Sequence, residues 1–145
     1  MPKVQVNLLG QGTPTMKRID LAYAAGIFDG EGSVSFQKSK SHKQSVFAQV
    51  TNTNEWICQQ FKFWFGGSVG RYDVKPGQWK VCWRWRGHGE GAVRCLELLL
   101  PYLRLKRPQA ELTIAFQNAK RENRSVDVIE QAQKVALSHL NKRGI

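Results

Sequence analysis

The sequence predicts an α+β domain built on a four-stranded antiparallel sheet. Along the chain, the hydrophobic period changes twice from that of a helix to that of a strand. This gives the order helix, hairpin, helix, hairpin, and three further helical segments follow. With 145 residues, 41% of them hydrophobic, the chain suits one domain with a folded core. We therefore expect an N-terminal extension at 1–17 and a single domain at 18–145.

The first hairpin and the helix after it have clear sequence signals. Strands are expected near 33–37 and 45–51, because apolar and polar residues alternate in both segments. Asn54 is a typical N-cap for the next helix, and the pair Gly66–Gly67 ends it. The buried stripe of this helix recurs at helical spacing and consists of Ile57, Phe61, Trp64 and Phe65.

The second half repeats the hairpin and then becomes helical. Strands are expected at about 69–74 and 79–86, joined by a turn at 75–78 with Pro and Gly at its centre. In the last strand, tryptophans alternate with basic residues, so we expect the tryptophan face to pack against the helices. The three helices that follow are delimited by Pro101, Pro108 and Ser125.

The charge balance predicts a polyanionic partner. Lys and Arg total 22 against 11 Asp and Glu, a net charge of +11, which suits nucleic acid or an anionic membrane surface. No apolar run approaches the roughly 20 residues that span a bilayer, and we see no secretory signal, so a membrane partner is not expected. The three cysteines are odd in number and widely spaced, which is typical of reduced, intracellular proteins.

The first helix, predicted from Asp20 to about Phe28, has two different apolar faces. Ala22, Gly26 and Gly30 lie four residues apart and form a bare face on which another backbone could pack closely. That backbone belongs either to a second copy of the chain, which makes these residues a dimer interface, or to a tight spot within one chain. The bulky face is expected to fill the domain's own core and consists of Ile19, Tyr23 and Ile27.

Two carboxylates, Asp29 and Glu31, stand at the end of this helix. The C-terminus of a helix carries partial negative charge and unpaired carbonyl groups, so acids there contradict the usual preference. A divalent cation such as Mg²⁺ would remove the conflict, because hard cations take carboxylate and backbone carbonyl oxygens. The alternative is a solvated turn on a surface helix.

The stretch AAGIFDGEG (24–32) resembles the signature of the LAGLIDADG homing endonucleases. Ala24 stands where leucine is usual, Gly30 replaces alanine, and Glu31 replaces the second aspartate but keeps the carboxylate. The runs AQVTNTN (48–54) and PYLRLKRPQAEL (101–112) are similar to two further family segments, and the resemblance covers about residues 18 to 120. With one signature, the chain resembles the homodimeric branch of the family.

The resemblance implies a site-specific endonuclease that breaks both strands of a long, near-palindromic DNA target by metal-dependent hydrolysis. It implies that Glu31 and the Gly30 carbonyl bind the metal, most often Mg²⁺, with Asp29 as a supporting ligand. Lys106 would stabilise developing charge, and Asn52 would order solvent. Two alternatives on the same fold stay open: an RNA-splicing maturase that binds intron RNA, and a DNA-binding protein that does not cleave. The host compartment is not given by the sequence.

The polar faces of the predicted strands are expected to contact DNA, since a two-stranded ribbon fits the major groove. Arginine can read guanine and glutamine can read adenine, whereas loop lysines contact phosphates. The uncharged members of these faces could equally be solvated strand residues. The predicted DNA-binding residues are Ser33, Ser35, Gln37, Lys38, Lys40, Lys43, Ser45, Gln49, Arg71, Asp73, Lys75, Lys80, Arg84 and Arg86.

Overall fold

The computed structural model describes residues 4–6, 12–14, 16–38, 44–72, 81–121, 136–138 and 140–141. Its architecture is the predicted mixture of helices and a four-stranded antiparallel sheet, with a separate two-stranded ribbon near the N-terminus. The elements in chain order are β1 (Val4–Val6), β2 (Gly12–Pro14), α1 (Arg18–Glu31), β3 (Gly32–Lys38), β4 (Gln44–Asn52), α2 (Glu55–Phe65), β5 (Ser68–Tyr72), β6 (Cys82–His88), α3 (Gly89–Leu99), a 3₁₀ turn (Leu100–Tyr102) and α4 (Arg107–Arg121). No helix in these ranges is both long enough and apolar enough to cross a membrane.

The four-stranded sheet has the order β3-β4-β6-β5, with every neighbouring pair antiparallel. Gly32 opposes Val50, Val50 opposes Trp85, and Trp85 opposes Val69, so one row of paired residues crosses the whole sheet. The helices cover this face and bury its apolar side chains. The predicted tryptophan face is thereby confirmed as core at Trp85, which is 0% exposed.

Helix α2 and the glycine pair after it match the sequence signals. The Asn54 side chain accepts a hydrogen bond from the Trp56 backbone N–H, as expected of an N-cap. Gly66 and Gly67 have φ of +74° and +88°, and a Cβ on Gly67 would collide with the Arg86 carbonyl. The Trp85 indole donates a 2.7 Å hydrogen bond to the Gly66 carbonyl, which joins this turn to the core.

Helix α1 differs from the prediction in length and in the side that it buries. It runs to Glu31 and so contains both carboxylates in its last turn. Its buried residues are Ala24, Ala25 and Phe28, whereas Ile19 and Tyr23 are 75% and 50% exposed. The prediction that Ile19 and Tyr23 fill the core is therefore wrong. A helix that is apolar all round does not indicate its buried side.

The two ends of the chain are described only in part. The expected N-terminal extension contains the two-stranded ribbon β1–β2, in which Val4 opposes Pro14. Residues 136–138 and 140–141 are helical, and the Asn141 amide donates to the Val34 carbonyl at 3.3 Å. Ser125 and the turn predicted at 75–78 lie outside the described residues, and the domain boundary at residue 17 stays a prediction.

Candidate active site

The Asp29 carboxylate is bound by three consecutive backbone N–H groups. Oδ2 accepts from Arg104 at 3.0 Å, and Oδ1 accepts from Leu105 at 3.1 Å and from Lys106 at 2.9 Å. These amides come just before α4, and Lys106 accepts the first hydrogen bond of that helix through its carbonyl group, from the Ala110 N–H at 3.0 Å. Asp29 therefore caps the N-terminus of α4 from the far end of α1.

This contact explains one of the two acids that contradict the usual preference at a helix C-terminus. Asp29 lies at the negative end of α1, but it also lies at the positive end of α4, where unpaired N–H groups bind anions. The segment 104–106 follows Leu103, which is anchored because it is 3% exposed and donates its N–H to the Leu99 carbonyl. The fold thus fixes the backbone of Lys106 beside the end of the signature helix.

Glu31, the other acid, is exposed and borders a separate groove. Residues i and i+2 of a helix do not face each other, so Asp29 and Glu31 diverge. The groove has a volume of about 320 Å³ and is lined by Glu31, Thr51, Asn52, Thr53 and Cys82. The structure therefore brings together two of the three predicted catalytic residues, Glu31 and Asn52, in one opening.

The Asn52 side chain has a fixed orientation in this groove. Its Oδ1 accepts the Asn54 backbone N–H at 2.8 Å, so the amide nitrogen is left as the donor. Only glycine fits at position 32, where the helix passes into the strand, because a Cβ there would lie 2.6 Å from the Phe28 ring. This close passage sets the direction in which the chain leaves Glu31.

One chain supplies a small donor set for a metal ion. Among the described residues, no group of three or more His, Cys, Asp or Glu side chains could hold one. Glu31 offers an exposed carboxylate, and Gly30 is among the last residues of α1, whose carbonyl groups lack partners within the helix. Both Asp29 oxygens already accept backbone hydrogen bonds, which favours Glu31 over Asp29 as a ligand.

The predicted interface residues all lie on the outer side of α1. Ala22, Gly26 and Gly30 are exposed, and a Cβ at either glycine would have no atom of the described residues within 4 Å. A groove of about 570 Å³ runs beside this face, between α1 and the segment 101–107. The tight-spot alternative within one chain is therefore not realised in the described residues.

The polar face of the sheet carries an ordered set of side chains. Gln49 opposes Arg86, and the Arg86 Nε donates to the Gln49 Oε1 at 3.1 Å. The Arg84 guanidinium lies 3.5 Å from the centroid of the Tyr72 ring. Ser33, Ser35 and Ser45 are half-buried members of the same face.

Arg71 does not lie on this face. It opposes Trp83, and Tyr72 opposes Cys82, so Arg71 shares the side of Trp83 while Tyr72 shares the side of Arg84. By register Arg71 lies on the other side of the sheet from Arg84 and Arg86, yet all three line one groove at the β5 edge, and its contact with DNA stays a prediction. Alternation assigns faces within a strand, but only the register of the hairpin assigns them between strands.

Several predicted DNA-binding residues are not tested by the structure. Lys40, Lys43, Asp73, Lys75 and Lys80 lie outside the described residues. Gln37 and Lys38 are described only by their backbone, in the register Gln37 opposite Ser45 and Lys38 opposite Gln44.

The sequence patterns miss four residues at these sites. Tyr72 and Phe47 interact with arginine guanidinium groups, at 3.5 Å and 5.0 Å from the ring centroids. Thr51 and Cys82 line the groove of Glu31. Phe47 was visible as an interruption of the polar alternation in β4, whereas no sequence signal indicates that Cys82 neighbours Glu31.

The chain has the fold of the LAGLIDADG homing endonucleases. The homing endonuclease I-CvuI, in complex with its target and 2 mM Ca, is similar at 22% identity and a TM-score of 0.69, over 84% of this chain and 82% of I-CvuI. The archaeal intron-encoded homing endonuclease I-Vdi141I, complexed with DNA, is similar at 15% identity and a TM-score of 0.63, over 86% of this chain and 83% of that one. A further I-CvuI complex contains uncleaved DNA with 2 mM Mg.

Longer proteins of the same fold match over less than half of their length. I-SmaMI, a LAGLIDADG homing endonuclease bound to cleaved DNA, is similar at 14% identity and a TM-score of 0.63, over 86% of this chain but 45% of I-SmaMI. No protein-family model and no curated protein matches the sequence. The comparisons confirm the fold that the signature predicts.

The cysteines give a chemical test of the groove. Burial raises the pKa of the Cys95 thiol, and burial likewise raises the pKa of Cys58, so both stay protonated and shielded near pH 8. Cys82 lines the groove, so we expect an aromatic disulfide reagent to modify one thiol quickly and the others only on unfolding. Mass spectrometry identifies the site, and Cys82→Ser should abolish the fast phase. Fast labelling that persists in Cys82→Ser contradicts the assignment.

Proposed function

We propose that this chain is a site-specific homing endonuclease that makes a double-strand break in a long, near-palindromic DNA target by metal-dependent hydrolysis. The observation that carries the proposal is the convergence at the end of α1. Glu31 borders a groove shared with Asn52, while Asp29 holds the backbone of Lys106 at the same helix end. Further support comes from the fold, which is that of homing endonucleases solved with DNA.

The donor set fits a hard divalent cation shared with a second chain. Glu31 and the Gly30 carbonyl would hold the ion, because carboxylate and carbonyl oxygens suit Mg²⁺. When bound, the cation supplies positive charge for the phosphate oxygens and acidifies a coordinated water. A single carboxylate is too small a cage, which is why the acid end of a second α1, or the DNA phosphate, is needed to complete it.

The remaining roles belong to the chain's own polar groups. Lys106 carries a positive charge on a segment whose backbone is fixed, so its charge can stabilise a phosphate that gains negative charge. Asn52 presents its amide nitrogen as a donor, because its oxygen is occupied by the Asn54 N–H, and this donor can orient a water or a phosphate oxygen.

The proposed DNA-binding surface is the polar face of the sheet. This face is opposite the core, and the net charge of +11 favours a polyanion. A two-stranded β-ribbon fits the major groove, where base edges differ. Arg84 and Arg86 lie on this outward face, which places their positive charges where bases or phosphates can approach.

The function is tested by selecting a target and cutting it. A randomised duplex library is enriched for binding by the wild-type chain in Ca²⁺, and the enriched site is placed in a supercoiled plasmid. We expect linear plasmid in Mg²⁺, no cleavage in EDTA, and no cleavage of a plasmid with a scrambled site. Enrichment without cleavage in any divalent metal would identify a DNA-binding protein that does not cut. Absence of enrichment would refute DNA-site recognition.

We also propose that the enzyme is a homodimer in which two α1 helices pack through Ala22, Gly26 and Gly30. Both glycines face open space, and the neighbouring Ile19 and Tyr23 are largely exposed, which is costly for a chain that stays alone. The chain lengths also suit a pair of copies. One copy of this chain covers 82% of I-CvuI but 45% of I-SmaMI, so two copies together are about as long as I-SmaMI. Two small-residue faces allow close helix approach.

Gly26→Leu should separate the dimer without unfolding the chain. A Cβ at position 26 has no atom of the described residues within 4 Å, the adjoining groove has room for a side chain, and replacing a helical glycine favours the helix. In a symmetric interface the side chain is inserted twice, so overpacking should raise the dimer dissociation constant by at least about 30-fold. Sedimentation measures this.

Gly91→Leu is the matched control, since Gly91 also lies in a helix and its Cβ also meets open space. The control should keep the wild-type association. A Gly26→Leu chain that remains dimeric and cleaves normally contradicts this interface.

A further inference from the structure

Arg86 is held on two sides by side chains of its own chain. Its Nε donates to the Gln49 Oε1 at 3.1 Å, across the β4–β6 pair in which these residues oppose each other. Its guanidinium carbon lies 5.0 Å from the centroid of the Phe47 ring. The side chain therefore approaches a ligand with a restricted set of conformations, which lowers the entropy lost on binding.

The bond between Gln49 and Arg86 changes what Gln49 can read. A guanidinium has only donors, so the amide oxygen of Gln49 must face it, and the amide nitrogen is the group left for a base. Adenine readout by glutamine needs the amide as both donor and acceptor. With its oxygen turned toward the guanidinium, Gln49 presents its amide N–H donors beside the two terminal NH₂ groups of Arg86.

Arg84, two residues earlier on the same face, is held by an aromatic ring. Its guanidinium stacks 3.5 Å from the centroid of Tyr72. Within the described part of the chain, its Nε is buried and makes no hydrogen bond. Stacking fixes the plane of the guanidinium and directs its fork along that plane.

We propose that Arg84 and Arg86 each read a guanine in the major groove, and that Tyr72 and Gln49 are their positioning residues. Guanine offers two acceptors, N7 and O6, to a donor-only fork, whereas adenine, cytosine and thymine do not offer that pair. The inference rests on the proposed DNA-binding function and names a feature of its target.

The spacing of the two arginines sets the spacing of the guanines. Residues i and i+2 of a strand are about 6.8 Å apart, and base pairs are stacked about 3.4 Å apart along each strand. A β-ribbon that follows the groove therefore aligns Arg84 and Arg86 with bases about two steps apart. In a homodimer, both half-sites carry the pair.

The test is the base preference of each variant. The wild-type chain and its variants enrich a randomised duplex library in Ca²⁺. Arg86→Lys and Arg84→Lys keep the charge but lose the fork. Tyr72→Leu removes the ring that positions Arg84, and Gln49→Leu removes the partner of Arg86 together with the amide donor of Gln49. Arg94→Lys, an exposed change on α3, is the matched control. Thermal unfolding of every variant confirms that it is folded.

We expect the wild-type chain to enrich two guanines in each half-site, about two steps apart. Arg86→Lys and Gln49→Leu should relax one of them, and Arg84→Lys and Tyr72→Leu the other. Each arginine variant should lose roughly 5- to 150-fold affinity for the wild-type site, and Arg94→Lys should lose none.

Three results would contradict the inference, and each has a different meaning. If the arginine variants bind every sequence more weakly but relax no position, both arginines contact phosphates and the inference is overturned. It is also overturned if the relaxed positions are not guanines. If the wild-type chain enriches no sequence, the proposed function fails and this inference fails with it.

Discussion

Glu31→Gln is expected to abolish DNA cleavage while the fold and DNA binding are kept. Glu31 is exposed at the end of α1 and contributes a charge to the groove of Asn52, and its side chain makes no hydrogen bond to the described residues. Glutamine keeps the shape but removes the negative charge that would bind a cation. Loss of one preorganised charged group costs about 10²- to 10³-fold in rate, and loss of a metal ligand should reach at least the upper value.

The same change should leave stability equal or slightly higher. Glu31 lies in the last turn of α1, where a negative charge opposes the helix dipole, so its removal should stabilise the chain by about 0.3 kcal/mol. Glu97→Gln, an exposed change on α3, is the isosteric control and should cleave normally. Plasmid cleavage and denaturant unfolding measure both effects. Wild-type cleavage by Glu31→Gln would remove Glu31 from the catalytic machinery.

The sequence predicts the elements of the fold because each has its own local signal. The Asn54 cap, the Gly66–Gly67 stop and the alternation of β6 are decided by neighbouring residues, and the structure has all three. The buried side of α1 could not be predicted. Its residues are apolar all round, and the choice between Tyr23 and Ala24 is made by the space that remains above the sheet.

At the site, too, residues that belong to a local motif could be predicted, whereas contacts between residues far apart in the sequence could not. Glu31 and Asn52 are identified by motifs, and the fold brings them to one groove. The face of Arg71 depends on the pairing of β5 with β6, and the bond between Gln49 and Arg86 joins residues 37 positions apart. Contacts of that kind are set by strand register, which the sequence of one strand does not contain.

The binding partner of Asp29 is the feature of the site on which the sequence and the structure differ most. Seen alone, an acid at a helix C-terminus indicates a bound cation. The chain instead supplies three N–H groups from a segment 75 to 77 residues away. Asp29 and Glu31 therefore have different roles in the same turn: Asp29 connects α1 to the segment before α4, and Glu31 borders the groove.

Asp29→Ala should consequently destabilise the chain as well as slow cleavage. The substitution leaves the three N–H groups of the segment just before α4 without their acceptor, and two of those bonds share one charged oxygen. Charged hydrogen bonds and helix caps of this kind suggest a loss of about 2–4 kcal/mol in the free energy of unfolding. Asp20→Ala, in the first turn of the same helix, should lose only about 0.3–1 kcal/mol.

Cleavage by Asp29→Ala should also fall where the variant is still folded, because the backbone of Lys106 is no longer fixed at the end of α1.

Asp29→Asn separates the two roles of the carboxylate. Its amide keeps one oxygen for the Leu105 and Lys106 N–H groups but turns a donor toward the Arg104 N–H, so it should retain part of the stability. If Asp29 were chiefly a metal ligand, Asp29→Asn would match Glu31→Gln in every measurement, with lost cleavage and undiminished stability. Loss of stability in Asp29→Ala and Asp29→Asn, beside none in Glu31→Gln, is the result that the three N–H contacts require.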